Sequence, residues 1–228
     1  MKKILALPLL LLACALLLAA PAAASLIITE LMADSGHPGG PTNGDWWELT
    51  NTGAGAVDLS GYSWDDDSQD PTLQTFVAGV TIAPGESLIV LDEDALADGA
   101  AFRATWGLAA GVQVLTYDDF VVEMDFAGLG DGDEVNLYDA ADALVAQATY
   151  GAGVRSTGAS LFYDPTTGSL LGTSLAGVAG AVTSADGDVG SPGTAVPEPG
   201  AALLLGLGVL GALRGRAGAS RPLTRLGA

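Results

Sequence analysis

The sequence predicts an all-β fold, a single β-sandwich set between two apolar end segments. Short apolar runs recur between clusters of Gly, Pro, Asn and Asp from residue 26 to residue 163, which is the punctuation of strands joined by turns. Several runs alternate apolar and polar residues with period two, as half-buried strands do. A length of 228 residues, less the apolar ends, suits one domain of this kind rather than two.

In chain order, residues 26–31 (LIITEL) open the domain. Residues 45–50 (DWWELT) follow a Gly/Pro/Asn loop and place Trp47 and Leu49 on one strand face. Residues 57–65 (VDLSGYSWD) continue, with Ser60-Gly61 marking a bend or bulge, and residues 73–77 read as the next strand. Ile82-Ala83-Pro84-Gly85 supplies a turn before residues 87–92 (SLIVLD), whose four consecutive apolar residues fit a strand buried on both faces. Residues 93–107 break the pattern: they are Ala-rich and carry Phe102, Arg103 and Trp106 at near-helical spacing, so a short helical or irregular excursion is expected. Strands return at 112–117, 134–138 and 144–150. In the last of these Leu144, Ala146, Ala148 and Tyr150 face one way and Gln147 and Thr149 the other, and residues 139–143 make a hairpin. A final strand at 160–163 ends a domain spanning 25–165. Residues 166–195 are rich in Gly, Ser, Thr and Ala with few large apolar side chains, and they are expected to form a poorly ordered linker.

The N-terminal segment, residues 1–24, has the order of a secretory signal. Lys2 and Lys3 precede an apolar run over residues 4–20, and Pro21 and small alanines lead to a cut between Ala24 and Ser25, which implies the Sec export machinery as a partner. The other reading is a lipoprotein signal acylating Cys14, but the apolar run continues past that cysteine, where a mature lipoprotein turns polar. Cleavage at Ala24 removes the chain's one cysteine, so the exported body holds no disulfide and no thiolate site.

Between Ser25 and Val196 stand 26 of the chain's 27 acidic residues, all but Glu198, against Arg103 and Arg155 alone, a net charge of −24. Such a surface repels phosphate, so nucleic acid is excluded as a partner. Solubility outside the cell explains the acidity without a ligand, and cation binding is the functional alternative.

The ordered pieces of the body resemble a lamin-tail domain of the bacterial secreted type. They are Ile28-Thr29-Glu30-Leu31, Trp47-Glu48-Leu49 with Asn51, Val57-Asp58-Leu59-Ser60-Gly61-Tyr62, Ile82-Ala83-Pro84-Gly85, Phe102-Arg103, Gly130-Asp131-Gly132-Asp133, Leu137 with Asp139, and Gly190-Ser191-Pro192-Gly193. The resemblance implies an immunoglobulin-like sandwich used as an accessory or interaction module, sometimes joined to secreted nucleases. The chain departs from that pattern in its tandem Trp46 and Trp47 and in the acidic loop 65–70. An aromatic on a sandwich strand is usually core, and exposure of one as a binding surface is the alternative.

Residues 196–228 resemble a PEP-CTERM sorting signal: Val196, Pro197, Glu198 and Pro199 precede an apolar run over residues 201–213, then Arg214 and Arg216. The prolines hold an extended backbone that a protease can grip, the apolar run enters the bilayer, and the arginines stay cytoplasmic as a stop. Thirteen residues rise only about 20 Å as a short hydrophobic helix, against a hydrocarbon core of ~30 Å, which suits a transient anchor. The resemblance implies recognition by an exosortase, a membrane-embedded transpeptidase-like enzyme reading Glu198. A plain C-terminal membrane anchor is the alternative, and the tail beyond Arg216 is longer than the family's usual one.

Catalysis needs a base poised near neutral pH, and the exported body offers only His37, in a Gly/Pro loop, with no lysine and no cysteine. No enzyme is expected, and no catalytic or metal residue is assigned. Calcium is the one cofactor with a physical case, because Asp65, Asp66, Asp67 and Asp70 crowd one loop, while Asp92 with Asp94 and Asp131 with Asp133 form smaller groups; none follows the spaced acids of a helical calcium loop. The expected function is a non-enzymatic exported envelope or matrix protein, finally at the cell surface or outside the cell. Its alternatives are a calcium-dependent module binding an extracellular polysaccharide or protein through Trp46, Trp64 or the acidic loops, and the accessory partner of a secreted hydrolase.

Overall fold

The structure, a computed structural model, describes residues 25–36, 44–91, 99–121 and 128–194. Among these it is all-β, with thirteen strands and one short α-helix. The predicted helices of the two end segments lie outside the described residues, and no described helix is long and apolar enough to cross a membrane.

A six-stranded sheet forms one layer. Its strands are β1 (Leu26–Met32), β2 (Trp46–Asn51), β6 (Ser87–Leu91), β7 (Gln113–Leu115), β10 (Leu161–Tyr163) and β11 (Leu170–Thr173), in the order β11-β10-β1-β2-β6-β7. The facing layer is the three-stranded sheet β4-β8-β9, from β4 (Ser63–Asp65), β8 (Asp133–Tyr138) and β9 (Leu144–Tyr150), with the short pair β3 (Val57–Asp58) and β5 (Thr81–Ile82) beside it in sequence. Between the layers Ile28, Leu31, Trp47, Leu49, Leu88 and Val90 of the large sheet meet Trp64, Val135, Leu137, Ala148 and Tyr150 of the small one. That is a β-sandwich core, built by the inward residues of alternating strands.

β6 is buried along its whole length, as its unbroken apolar run predicts. Leu88 and Val90 face the sandwich core, and Ile89 and Leu91 enter a second cluster on the other face of the sheet with Met32, Trp46, Phe102 and Trp106. Phe102 and Trp106 come from the helix α1 (Gly99–Trp106), which sits in the crossover from β6 to its parallel neighbour β7. A parallel pair cannot close through a tight hairpin, and the helical excursion is the connection that the pairing requires.

Two expectations are corrected. Residues 73–77 form no regular strand; Thr75 and Phe76 make only isolated bridges, to Ser63 and Phe120, and Phe76 packs on Phe120 with ring centroids 4.7 Å apart. The stretch 166–195 is not a poorly ordered linker as far as residue 194. It carries β11, which extends the large sheet, and the hairpin of β12 (Val182–Thr183) and β13 (Val189–Gly190). Its small residues are held by hydrogen bonds rather than by apolar bulk. Ser174 N donates to Ser160 O at 2.8 Å, Ser160 N to Val189 O at 2.9 Å, and Ala185 N to Thr105 O of α1 at 2.8 Å.

Candidate functional sites: an acidic cluster and a buried carboxyl pair

The acidic loop after β4 is ordered by its own carboxylates. Asp65 Oδ2 accepts from Ser68 Oγ at 2.5 Å and from Asp70 N at 2.6 Å, and Asp66 Oδ1 accepts from Ser68 N at 2.9 Å. Asp70 is occupied separately as a turn former, accepting from Thr72 N and Thr72 Oγ1, whose hydroxyl also holds its carboxyl below the usual range. The four acids grouped by sequence therefore do not converge together.

Another set does. Carboxylate oxygens of Asp66, Asp67 and Asp133 lie within 4.8 Å of one another, joining the loop to the start of β8. Burial pushes the Asp66 carboxyl up, and the charges of Asp65 and Asp133 push it further. Both oxygens of Asp133 also cap backbone, accepting from Gly130 N at 2.5 Å and Glu134 N at 2.8 Å. Asp131, paired with Asp133 by sequence, turns instead to Gly153 N at 2.7 Å and lies 3.9 Å from Arg155 Nε. Three carboxylates supply hard oxygen ligands of the type calcium takes, although a calcium ion uses six to eight oxygens in all.

Trp46, Trp47 and Trp64 are all buried. Trp47 packs edge-on against Trp64 with centroids 5.2 Å apart, and Trp46 packs against Phe102 and Trp106 at 5.9 and 5.7 Å. The route to a ligand through an exposed Trp46 or Trp64 is thereby removed. The tandem tryptophans fill two different clusters because successive strand residues leave opposite faces.

The arrangement that sequence reasoning left without a role is a pair of glutamates on the outer face of the large sheet. Glu30 and Glu48 are register partners across β1 and β2, and both are 2% exposed. The segment after β13 lies over them. Ser191 gives Glu30 its N–H at 2.7 Å and its hydroxyl at 2.6 Å, Ser160 Oγ adds a third donor to Glu30, and Gly193 N donates to Glu48 at 2.5 Å. On its other side Glu48 meets a row of hydroxyls: Thr29 Oγ1 at 2.6 Å, then Thr50 at 2.8 Å from Thr29, then Ser87 at 2.7 Å from Thr50. Gly190 makes this close approach possible, since a Cβ there would stand 2.9 Å from Glu30 Oε1, 3.1 Å from Ser160 Oγ and 3.2 Å from the Trp106 ring. Burial raises both carboxyls, and the charge of Glu30 helps carry Glu48 to about 8. The reason is energetic: burial penalises the charged form of each carboxyl, and two like charges on paired strands repel.

Of the residues predicted to carry sorting and processing, Ser25 begins the described part. Ala24, Val196, Pro197, Glu198, Pro199, Arg214 and Arg216 lie outside the described residues, as do His37, Asp92 and Asp94.

No curated protein matches the chain. The family model of the Lamin Tail Domain matches residues 19–152, more than half of the chain, and takes in the sandwich from β1 through β9, including Glu30, Glu48 and the acidic cluster. That domain is an immunoglobulin-like sandwich without catalytic machinery, in keeping with the two facing sheets described above. The chain belongs to the Lamin Tail Domain family.

Proposed function

We propose that the protein is a non-enzymatic, exported envelope or extracellular-matrix protein whose lamin-tail sandwich serves as a structural or interaction module. The observation that carries this is the polarity of the chain. Lys2 and Lys3 lie before one apolar run and Arg214 and Arg216 after the other, so both ends face the cytosol while the −24 body is carried outside. In this reading the Sec machinery exports the chain and cleavage separates Ala24 from Ser25. The 201–213 run holds the chain briefly in the inner membrane, and an exosortase-type enzyme reads Val196, Pro197, Glu198 and Pro199 before releasing the body to the cell surface or beyond. The bacterial setting belongs to this reading. Mass spectrometry of the protein isolated from its native host is expected to find termini at Ser25 and close to Glu198. An intact tail in a membrane fraction would replace sorting with plain anchoring, and an untrimmed chain in the cytosol would overturn the reading altogether.

Convergence of Asp66, Asp67 and Asp133 favours a second reading, a calcium-dependent module for an extracellular polysaccharide or protein. Its test is the melting temperature of the full chain in millimolar calcium against sodium chloride of equal ionic strength, which separates a site from simple screening. The reading expects a rise of several degrees with calcium that Asp67→Asn abolishes. Equal melting in the two salts would remove it.

A further inference from the structure

The paired glutamates and the segment laid over them have the construction of a releasable clasp. Glu30 and Glu48 stand side by side on adjacent strands, and like charges directly opposite each other in a sheet oppose the pairing. Yet the two strands pair over the whole of β1, with one register irregularity between Ile28 and Glu30. The surroundings of the two carboxyls differ in kind. Glu30 has three donors aimed at it, two from Ser191 and one from Ser160, which suits a carboxylate. Glu48 accepts the Gly193 N–H on one oxygen, and its other oxygen meets Thr29, the first of a row of hydroxyls that runs on through Thr50 to Ser87; hydroxyls donate or accept as required, so the row can turn about and take a hydrogen bond from a protonated Glu48.

The groups facing the pair from the packed elements are Thr29 of β1, Thr50 of β2, Ser87 of β6, Ser160 of β10, Ser174 beyond β11, Ser191 of the covering segment and the Trp106 ring of α1. Arg103, the cation of α1, donates to Val112 O at 3.3 Å. The charge that acts on Glu48 is that of Glu30.

We infer that Glu30 and Glu48 hold one proton between them as a clasp on Gly190, Ser191, Pro192 and Gly193, and that losing this proton in alkaline solution frees that strap while the sandwich stays folded. With both carboxyls charged, mutual repulsion and buried charge set Glu48 against its sheet neighbour, and the way to relieve both is to admit water by lifting the strap. The sign follows from proton binding: the folded protein holds the Glu48 proton more tightly than the unfolded chain does. The clasp is therefore complete below the ordinary glutamate value of 4.5 and is lost as pH rises through about 8. Most carboxylates that help a fold behave in the opposite sense. None of this depends on the export reading.

The experiment is hydrogen–deuterium exchange of the full chain in mild detergent at pH 6.0 and 9.5, with rates corrected for base catalysis. Two peptides are compared, one covering residues 188–194 and one covering β8. At pH 9.5 the strap peptide is expected to lose protection tenfold or more while the β8 peptide changes less than twofold. Glu48→Gln keeps the shape and removes the titration, and its strap protection is expected to change less than twofold. The clasp is overturned if wild-type strap protection holds within twofold across this range, or if β8 opens in step with the strap, or if Glu48→Gln loses strap protection as the wild type does. Should Glu48→Gln not fold, the wild-type comparison of strap with β8 still decides.

Discussion

On a strand successive side chains leave opposite faces, so Trp46 and Trp47 answer to different neighbours although they are adjacent in the chain. Trp47 meets Trp64 inside the sandwich, while Trp46 meets Phe102 and Trp106 beneath α1. Replacing either by Ala leaves a cavity costing about 3–5 kcal/mol, but the location of the damage differs. Trp46→Ala is expected to open α1 to proteolysis near Phe102 well before the sandwich melts. Trp47→Ala is expected to lower the global melting transition with α1 no more sensitive than the sandwich. Limited proteolysis alongside thermal melting separates the two, and equal cleavage at α1 in both variants would contradict the two-cluster account. Trp47 as core is legible from its alternation with Leu49. The destination of Trp46 is not, because it depends on a helix fifty-odd residues further on.

At the scale of elements, legibility follows how each strand is stabilised. β6 can be read from its apolar run because both its faces are covered, and β9 from alternation, which holds from Ala146 to Tyr150. It fails at Leu144, which is 52% exposed where the hairpin shifts register between Leu137 and Tyr138. β11 to β13 give a weak signal because they have few large apolar side chains to bury, and cross-chain hydrogen bonds take the place of that burial. Asp188 shows the principle: its carboxylate accepts from Ser35 Oγ at 2.7 Å and Gly36 N at 3.0 Å, more than 150 residues away in the chain. Polarity in such a segment reads as disorder until its partners are known. The acidic loop is the converse case, since its composition is visible in sequence but its grouping is not. Asp70 and Asp131 are drawn off by Thr72 and Gly153, and Asp133 is brought in by the pairing of β8 with β4.

For the molecule as a whole, the family match ends at residue 152 while the fold continues to at least residue 194. β10 pairs with β1, Leu161 and Tyr163 fill the sandwich core, and the strap covers Glu30 and Glu48. A chain ending at Ala152 would leave β1 as an open edge with two glutamates bare beside it. Its expected behaviour is loss of a cooperative thermal transition by circular dichroism, whereas a chain ending at Thr194 keeps one. A cooperative transition in the shorter chain within about 5 °C of the longer one would show that the last strands are dispensable. What the amino-acid order determined unaided is the β class, the inward face of β2 and of most of β9, the double burial of β6 and the charge asymmetry of the ends, because periodicity and charge are local properties of a chain. Which glutamates meet, which aspartates converge and what covers them were decided by tertiary structure, because those contacts join residues up to 161 positions apart and no local pattern encodes such a pairing.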